Sequence, residues 1–292
     1  MKTQSNDPAK LHGPGPGRFF LLLLALIALA DLTAQTDRYR PAPVFVAGGN
    51  ADQAEGARIL SEFRQTGITG TYWLAFDLQI LPRKGAERTV KGQLFGTPGA
   101  QGPVTRLAID GQTWLVEGGR PAPVWRSVGG AAAQVLTDAE TLDAIAGTDL
   151  TIFDLQMPFL QWKDFVYEGL ARVRGRPTHS YVLYPPAELA SARPNLTGVR
   201  LYLDTQFKAI LQLEMLGAKG ATEKTVSILD LKKLGDQPVV KSIDFRNHLT
   251  RDKTRFTVTA VALDVALPPA TFEPAGLAAE SPAVPPAKIQ RF

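Results

Sequence analysis

The stretch from Gly198 to Leu216, GVRLYLDTQFKAILQLEML, alternates apolar and polar side chains on both sides of a short turn at residues 204–206. A period of two on each arm predicts an antiparallel β-hairpin with one apolar and one polar face. The apolar positions are Val199, Leu201 and Leu203 on the first arm and Ala209, Leu211, Leu213 and Met215 on the second. A two-stranded ribbon cannot bury such a face alone, so the sheet must continue and another layer must cover it.

Alternating segments recur on both sides of this hairpin and supply the rest of the sheet. They are residues 71–81, 88–95, 103–117, 123–128, 165–174, 179–184, 225–231, 239–245 and 255–263, the third of which folds back at Asp110-Gly111. With the hairpin they make about eleven strands with mostly short connections, a pattern typical of one antiparallel, strongly curved sheet. The predicted fold class is therefore mainly β (α+β).

Helical periodicity interrupts the strand pattern in two places. Residues 50–65 carry apolar side chains at helical spacing, and Asn50 or Asp52 can serve as the N-cap. Residues 137–162 favour two further short helices. We expect these segments to form part of the layer that covers the sheet.

The apolar block FFLLLLALIALA at residues 19–30 follows basic residues and leads into small ones. It is typical of a secretory signal peptide, because its length falls well short of the ~20 residues that a spanning helix needs. We predict a cleaved signal peptide at 1–30, a linker at 31–49, one folded domain at 50–275 and a disordered Pro- and Ala-rich tail at 276–292. An uncleaved anchor is the alternative for the first segment.

Residues that could carry catalysis are few. The chain has no cysteine, which excludes thiolate chemistry and disulfides, and its net charge of +4 is too small to indicate a nucleic-acid partner. After the apolar block only His179 and His248 remain, both in strand patterns, and Ser180 lies on the opposite strand face from His179. No common nucleophile, phosphate-binding or zinc motif occurs. We predict no enzymatic activity, cofactor or metal, and a hydrolase with an unrecognised site is the alternative.

The apolar face of a curved sheet with so little helix can either be filled or form a ligand groove, and the pattern leaves both open. The residues predicted to line a groove are Tyr72, Leu74, Phe76, Leu78, Leu201, Leu203, Leu211, Leu213, Met215, Phe256 and Val258. On another strand, Arg172, Arg174 and Arg176 alternate, as either a solvated face or a contact for an anionic partner.

Several features match one family in order along the chain. They are the helix from Asp149 to Leu160, the Gly175-Arg176 turn before the Tyr181-Val182-Leu183 strand, its Pro185-Pro186 end, the strand from Val199 to Asp204, the segment from Lys241 to Phe245, Thr254 and Phe272. Through them, residues 149–275 resemble the LolA-like outer-membrane lipoprotein-sorting proteins, in particular the branch that includes a treponemal LolA-like protein. None of these features is a catalytic signature.

The resemblance implies an unclosed antiparallel half-barrel covered by helices, located in the periplasm, whose cavity holds the acyl chains of a lipoprotein in transit. The implied partners are lipoprotein acyl chains or another lipid, together with membrane-bound donor and acceptor proteins. The motifs do not identify the arginine that latches the helical lid in well-studied carriers. The resemblance thus implies a lipid carrier, and a ligand-free cell-envelope interaction or lipoprotein-sensing module is the alternative.

Overall fold

The structure is a computed structural model that describes residues 51–64, 70–99, 102–118, 122–207, 209–234 and 237–292. The predicted signal peptide at 1–30 and the linker at 31–49 lie outside the described residues. The strands are β1 (Tyr72–Leu81), β2 (Arg88–Gly99), β3 (Gly102–Ile109), β4 (Gln112–Glu117), β5 (Val124–Val128), β6 (Gln134–Leu136), β7 (Phe165–Val173), β8 (Arg176–Leu183), β9 (Gly198–Asp204), β10 (Ile210–Leu216), β11 (Thr222–Leu234), β12 (Gln237–Asn247), β13 (Lys253–Leu263) and β14 (Gln290–Arg291). The α-helices are α1 (Gln53–Arg64), α2 (Ile152–Gln156) and α3 (Ala187–Ala192).

All these strands belong to one antiparallel sheet of 14 strands, in the order β6-β5-β4-β3-β2-β1-β13-β12-β11-β10-β9-β8-β7, with β14 beside β13. The order ends at β6 and β7, so the sheet is unclosed. The predicted mainly-β antiparallel fold is confirmed, although the strand count exceeds the predicted value of about eleven. The strand patterns missed β6 and β14, because strands of three and two residues are too short to display a period.

Helix α1 lies against β7 at one end of the sheet. Asp52 caps it, accepting hydrogen bonds from the N–H groups of Ala54 (2.9 Å) and Glu55 (3.2 Å). Gly56 permits the close approach, since a Cβ there would lie 2.4 Å from Cγ of Tyr167. The Tyr181 hydroxyl donates to the Gly56 carbonyl at 3.0 Å, so the helix is held by packing and by a buried hydrogen bond.

The second covering layer is the segment between β6 and β7, named here the cover (residues 137–162). It consists of a 3₁₀ turn at Glu140–Leu142, helix α2 and another 3₁₀ turn at Pro158–Gln161. The predicted second helix is present as α2, whereas the first is only the 3₁₀ turn. No helix in the described part of the chain is long and apolar enough to cross a membrane.

The tail after residue 275 is part of the fold, so the prediction of disorder is wrong. Strand β14 pairs with β13, and Val284 and Ile289 pack against a cluster on the outer face of the sheet that includes Trp73 and Phe95. The buried Arg106 of β3 donates to the carbonyls of residues 276 (2.9 Å) and 279 (2.6 Å). Composition suggested disorder, but the few apolar residues of the tail meet an apolar outer face.

We expect Arg106→Met to lower the free energy of unfolding by about 1–3 kcal/mol, because two carbonyls of the tail would lose a charged donor. Urea denaturation measures the change. Arg246→Met, at an exposed position of β12, is the control and should change stability little. Equal effects from the two variants would mean that Arg106 does not anchor the tail.

Candidate ligand-binding face and its cover

The inner face of the sheet carries nearly all the residues predicted to line a groove. One apolar cluster contains Tyr72, Leu74, Phe76, Leu78, Leu201, Leu203, Leu213, Met215, Phe256 and Val258. The antiparallel registers place them in phase across β1, β13, β9 and β10. The sheet therefore brings together residues that lie far apart in the sequence.

Leu211 is the exception, and its predicted place on the inner face is wrong. A bulge in β10 lets Ile210 pair with Leu203 while Gln212 pairs with Tyr202. Leu211 then packs against Tyr202 in a small cluster on the outer face. An extra residue in one strand breaks the alternation that the sequence pattern assumed.

Several side chains of the inner face are completely packed by their neighbours. Leu78 and Leu201 have a relative exposure of 0%, and Phe76 of 1%, so no water-sized space adjoins their side chains. The rings of Phe76 and Phe256 lie 4.5 Å apart between centroids. The sequence pattern left open whether this face is filled or forms a ligand groove. At these positions it is filled by side chains.

Aromatic side chains of the cover occupy much of the space over the sheet. Phe153, Phe159 and Trp162 are buried in the inner cluster and contact one another, with ring centroids 5.7–6.3 Å apart. Ile152 and Leu150 extend the same apolar surface. A ligand that bound between the cover and the sheet would have to displace these side chains.

A buried ion pair ties the cover to the sheet. Nζ of Lys224 in β11 contacts Oδ2 of Asp154 in α2, and both side chains are nearly inaccessible to solvent. Asp154 also accepts hydrogen bonds from the N–H and the hydroxyl of Thr151, both at 2.8 Å, in the capping box of α2. Lys224 lies opposite Met215 on the inner face, 5.6 Å from the Phe245 ring centroid. Sequence reasoning missed it, although a lysine in phase with inner positions was a usable signal.

Two further groups of polar contacts hold the cover on either side of α2. The Thr254 hydroxyl donates to Oδ2 of Asp149 at 3.0 Å and accepts from the Asp149 N–H at 2.9 Å. Burial raises the pKa of Asp149, although the Thr254 hydroxyl and the charge of Lys224 act in the opposite direction. The guanidinium of Arg64, at the end of α1, donates to the carbonyls of Leu160 and Trp162. The sequence motifs did not identify Arg64 as an arginine that contacts the cover.

Three solved structures with the same architecture share 13–16% sequence identity with this chain. A DUF1329 family protein from Desulfovibrio piger has a TM-score of 0.67 and 14% identity, covering 78% of this chain and 100% of its own. A Vibrio parahaemolyticus domain named for outer membrane lipoprotein sorting has a TM-score of 0.68 and 16% identity over 78% and 100%. A LolA superfamily protein from Nitrosomonas europaea has a TM-score of 0.57 and 13% identity, covering 76% of this chain and 98% of its own. These likenesses establish the fold.

The sequence itself matches a family model described as an uncharacterized protein over residues 134–279, half of the chain. The chain belongs to the family of this model, and its fold is LolA-like. The matched region begins at β6 and includes the cover and Lys224. None of the curated proteins matches this LolA-like chain.

Each of the two described histidines of the LolA-like chain lies beside a hydroxyl group of a neighbouring strand. Nδ1 of His179 lies 2.8 Å from the Tyr167 hydroxyl, and Nε2 of His248 lies 2.8 Å from the Thr225 hydroxyl. Ser180 donates to the Glu168 carboxylate at 2.7 Å on the outer face. In the described ranges, no group of three or more acidic, histidine or cysteine side chains could hold a metal ion.

The stability of the LolA-like chain should depend on pH through His179. Partial burial of the imidazole lowers the pKa of His179 in β8, although the charge of Glu55 opposes the shift. Because the unfolded histidine, with a pKa of about 6.5, binds the proton more readily, this contribution is complete above that pH and is lost as the pH falls towards the folded pKa.

We therefore expect the wild-type chain to lose stability between about pH 7.5 and pH 5.5 more steeply than His179→Gln. Urea unfolding at several pH values measures both slopes. The difference between the two slopes is the contribution of His179, because the carboxylates that titrate at lower pH contribute equally to both. Parallel slopes would show that His179 protonates equally in both states.

Proposed function

We propose that this LolA-like chain binds acyl chains of lipoproteins, or of a related lipid, on its inner face and takes part in lipoprotein sorting. One observation carries the proposal: the inner face is covered by a short segment fixed to the sheet by a few polar contacts. The LolA-like fold supports it. So does the Vibrio parahaemolyticus domain, whose name refers to lipoprotein sorting.

Binding would proceed by exchange between the cover and the ligand. The closed state buries aromatic side chains of the cover, and an acyl chain would bury methylenes against the same residues at ~0.8 kcal/mol each. A fully enclosed palmitoyl chain would gain roughly 12 kcal/mol before ordering costs. Losing the contacts of the cover offsets much of this gain, which suits a carrier that must release its cargo.

A specific observation favours the alternative of a ligand-free interaction or sensing module. The side chains of Leu78 and Leu201 are completely buried by neighbouring side chains, as in an ordinary core. In such a module the cover would be a permanent layer. The two functions differ in whether the cover moves.

Lipid extraction and mass spectrometry of protein purified from the periplasm distinguish the two. The carrier function predicts a stoichiometric lipid or lipoprotein and saturable binding of a fluorescent palmitoyl probe. Protein free of lipid that also fails to bind the probe would leave the interaction module as the function.

Localisation is a separate expectation. Expressed with its first residues, the chain should appear in the periplasmic fraction, shorter by about 30 residues, because the apolar block has the features of a cleaved signal peptide. Fractionation and intact-mass measurement test this. Full-length protein in washed membranes would contradict it.

A further inference from the structure

A groove on the sheet opens where two neighbouring strands separate. β10 and β11 pair only from Gln212–Ser227 to Leu216–Thr222, whereas β11 continues to Leu234 with β12 as its partner. A cavity of about 790 Å³ lies between the diverging strands. Its lining includes Phe207, Ile210, Leu211, Leu229, Leu231 and Lys232.

Bulges on both sides explain why the strands diverge. β10 is irregular between Ile210 and Gln212, and β11 is irregular between Ile228 and Leu231. A bulge bends its strand and increases the local twist. The edge of β11 at residues 229–234 therefore has no strand partner on the β10 side within the described ranges.

We propose that this groove binds an extended peptide segment of a partner protein, which adds as a strand to the free edge of β11. Six residues of edge span about 20 Å, enough for a short peptide strand. Main-chain N–H and C=O groups on that edge require polar partners, which a peptide backbone supplies and an acyl chain does not. The proposal does not rest on lipid binding at the inner face.

Exposed apolar side chains define what the peptide should carry. Phe207 is 60% exposed, Leu231 42% and Leu229 39%, all in one groove. Alternate apolar residues of an added strand could pack against them. These three side chains give the groove its preference for apolar residues.

The charged side chains of the groove indicate which charge the peptide should carry. The groove contains Arg174, Arg176 and Lys232 against Asp204 and Asp230. Arg176 is already paired with Asp204 at 2.6 Å. Arg174 donates to the Ile228 carbonyl and Lys232 lies 4.9 Å from the Phe292 ring centroid, so neither charge is neutralised by a carboxylate of the described residues. The remaining balance favours a peptide with an acidic residue over a basic one.

The same features argue against a second copy of this chain as the occupant. Bulges and a charged residue on a strand edge are devices that prevent edge-to-edge pairing of whole sheets. The free edge also lies inside a groove, where a single strand fits more readily than a second sheet. A separate extended segment is therefore the occupant that the geometry favours.

The test selects phage-displayed random peptides on the full chain and measures the binding of enriched peptides by fluorescence anisotropy. We expect sequences with alternate apolar residues and an Asp or Glu. N-methylation at alternate positions should abolish binding in one register and spare it in the other, because only one set of N–H groups faces the edge. Amide exchange of residues 231–234 should slow on binding.

Variants locate the site. Leu231→Lys and Leu229→Lys should each weaken binding by about tenfold or more, and Leu249→Lys, at an exposed leucine in the turn before β13, should leave it within about twofold. Binding of the palmitoyl probe should not change in any of them. No enrichment, register-independent binding, or equal effects at Leu231 and Leu249 would overturn the proposal. Two other results would also overturn it if no peptide is enriched. One is a dimer of the chain that Leu231→Lys disrupts, and the other is binding to phosphatidylglycerol vesicles that Leu231→Lys abolishes.

Discussion

Lys224→Met is expected to lower the free energy of unfolding by about 3–5 kcal/mol, because it leaves the carboxylate of Asp154 buried without its cation. The side chain of Asp154 retains only the Thr151 hydrogen bonds. Loss of the ion pair also weakens the attachment of the cover to β11. If the cover must move for ligand entry, the palmitoyl probe should bind about tenfold more tightly or better, since each 1.4 kcal/mol removed from the closed state raises the apparent affinity tenfold.

The double variant Lys224→Met with Asp154→Asn separates charge from packing. It removes both charges, so it should recover most of the stability lost in Lys224→Met. Urea unfolding and probe titration are measured on the same preparations, well below the melting temperature. A destabilised Lys224→Met that binds the probe no better than wild type would indicate that the cover does not open.

Period-two patterns were sufficient to predict the long strands of this fold. In β1, residues from Tyr72 to Leu78 alternate over enough positions for the inner face to be identified without a structure. Strand β14 could not be found in this way, because its two residues, Gln290 and Arg291, are too few to display a period and the contacts of the tail with the outer face hold them beside β13. Local pattern identifies elements whose own sequence carries the signal, and it misses those that depend on tertiary contacts.

The site was predicted less completely than the fold. The alternation of apolar residues placed Leu213 and Met215 on the inner face, where the structure has them. It could not reveal that side chains of the cover pack in the same cluster. Lys224, Asp154 and Arg64 are far apart in the sequence, and their contacts with the cover arise only when the sheet is assembled. Charged residues that hold a buried segment carry no local period of their own.

The same substitution at two positions of β10 tests which face binds the ligand. Leu213 is buried in the inner cluster, whereas Leu211 lies on the outer face because of the bulge. Leu213→Gln should cost about 3 kcal/mol or more, since it removes a buried apolar side chain and buries an amide without a partner. Leu211→Gln should cost about 1 kcal/mol or less, because the half-buried side chain lies beside the open groove. Urea unfolding measures both.

Probe binding then connects this difference to function. We expect Leu213→Gln to weaken the palmitoyl probe by about tenfold or more, because a polar amide would replace apolar contact on the inner face, and Leu211→Gln to change it little. Gln212→Leu, on the outer face between them, is a second control that adds apolar surface without altering the inner cluster. Equal weakening by the two glutamine variants would place the acyl chain elsewhere. A probe that responds to Leu211→Gln alone would place it in the groove between β10 and β11, because that is the apolar surface which Leu211 lines.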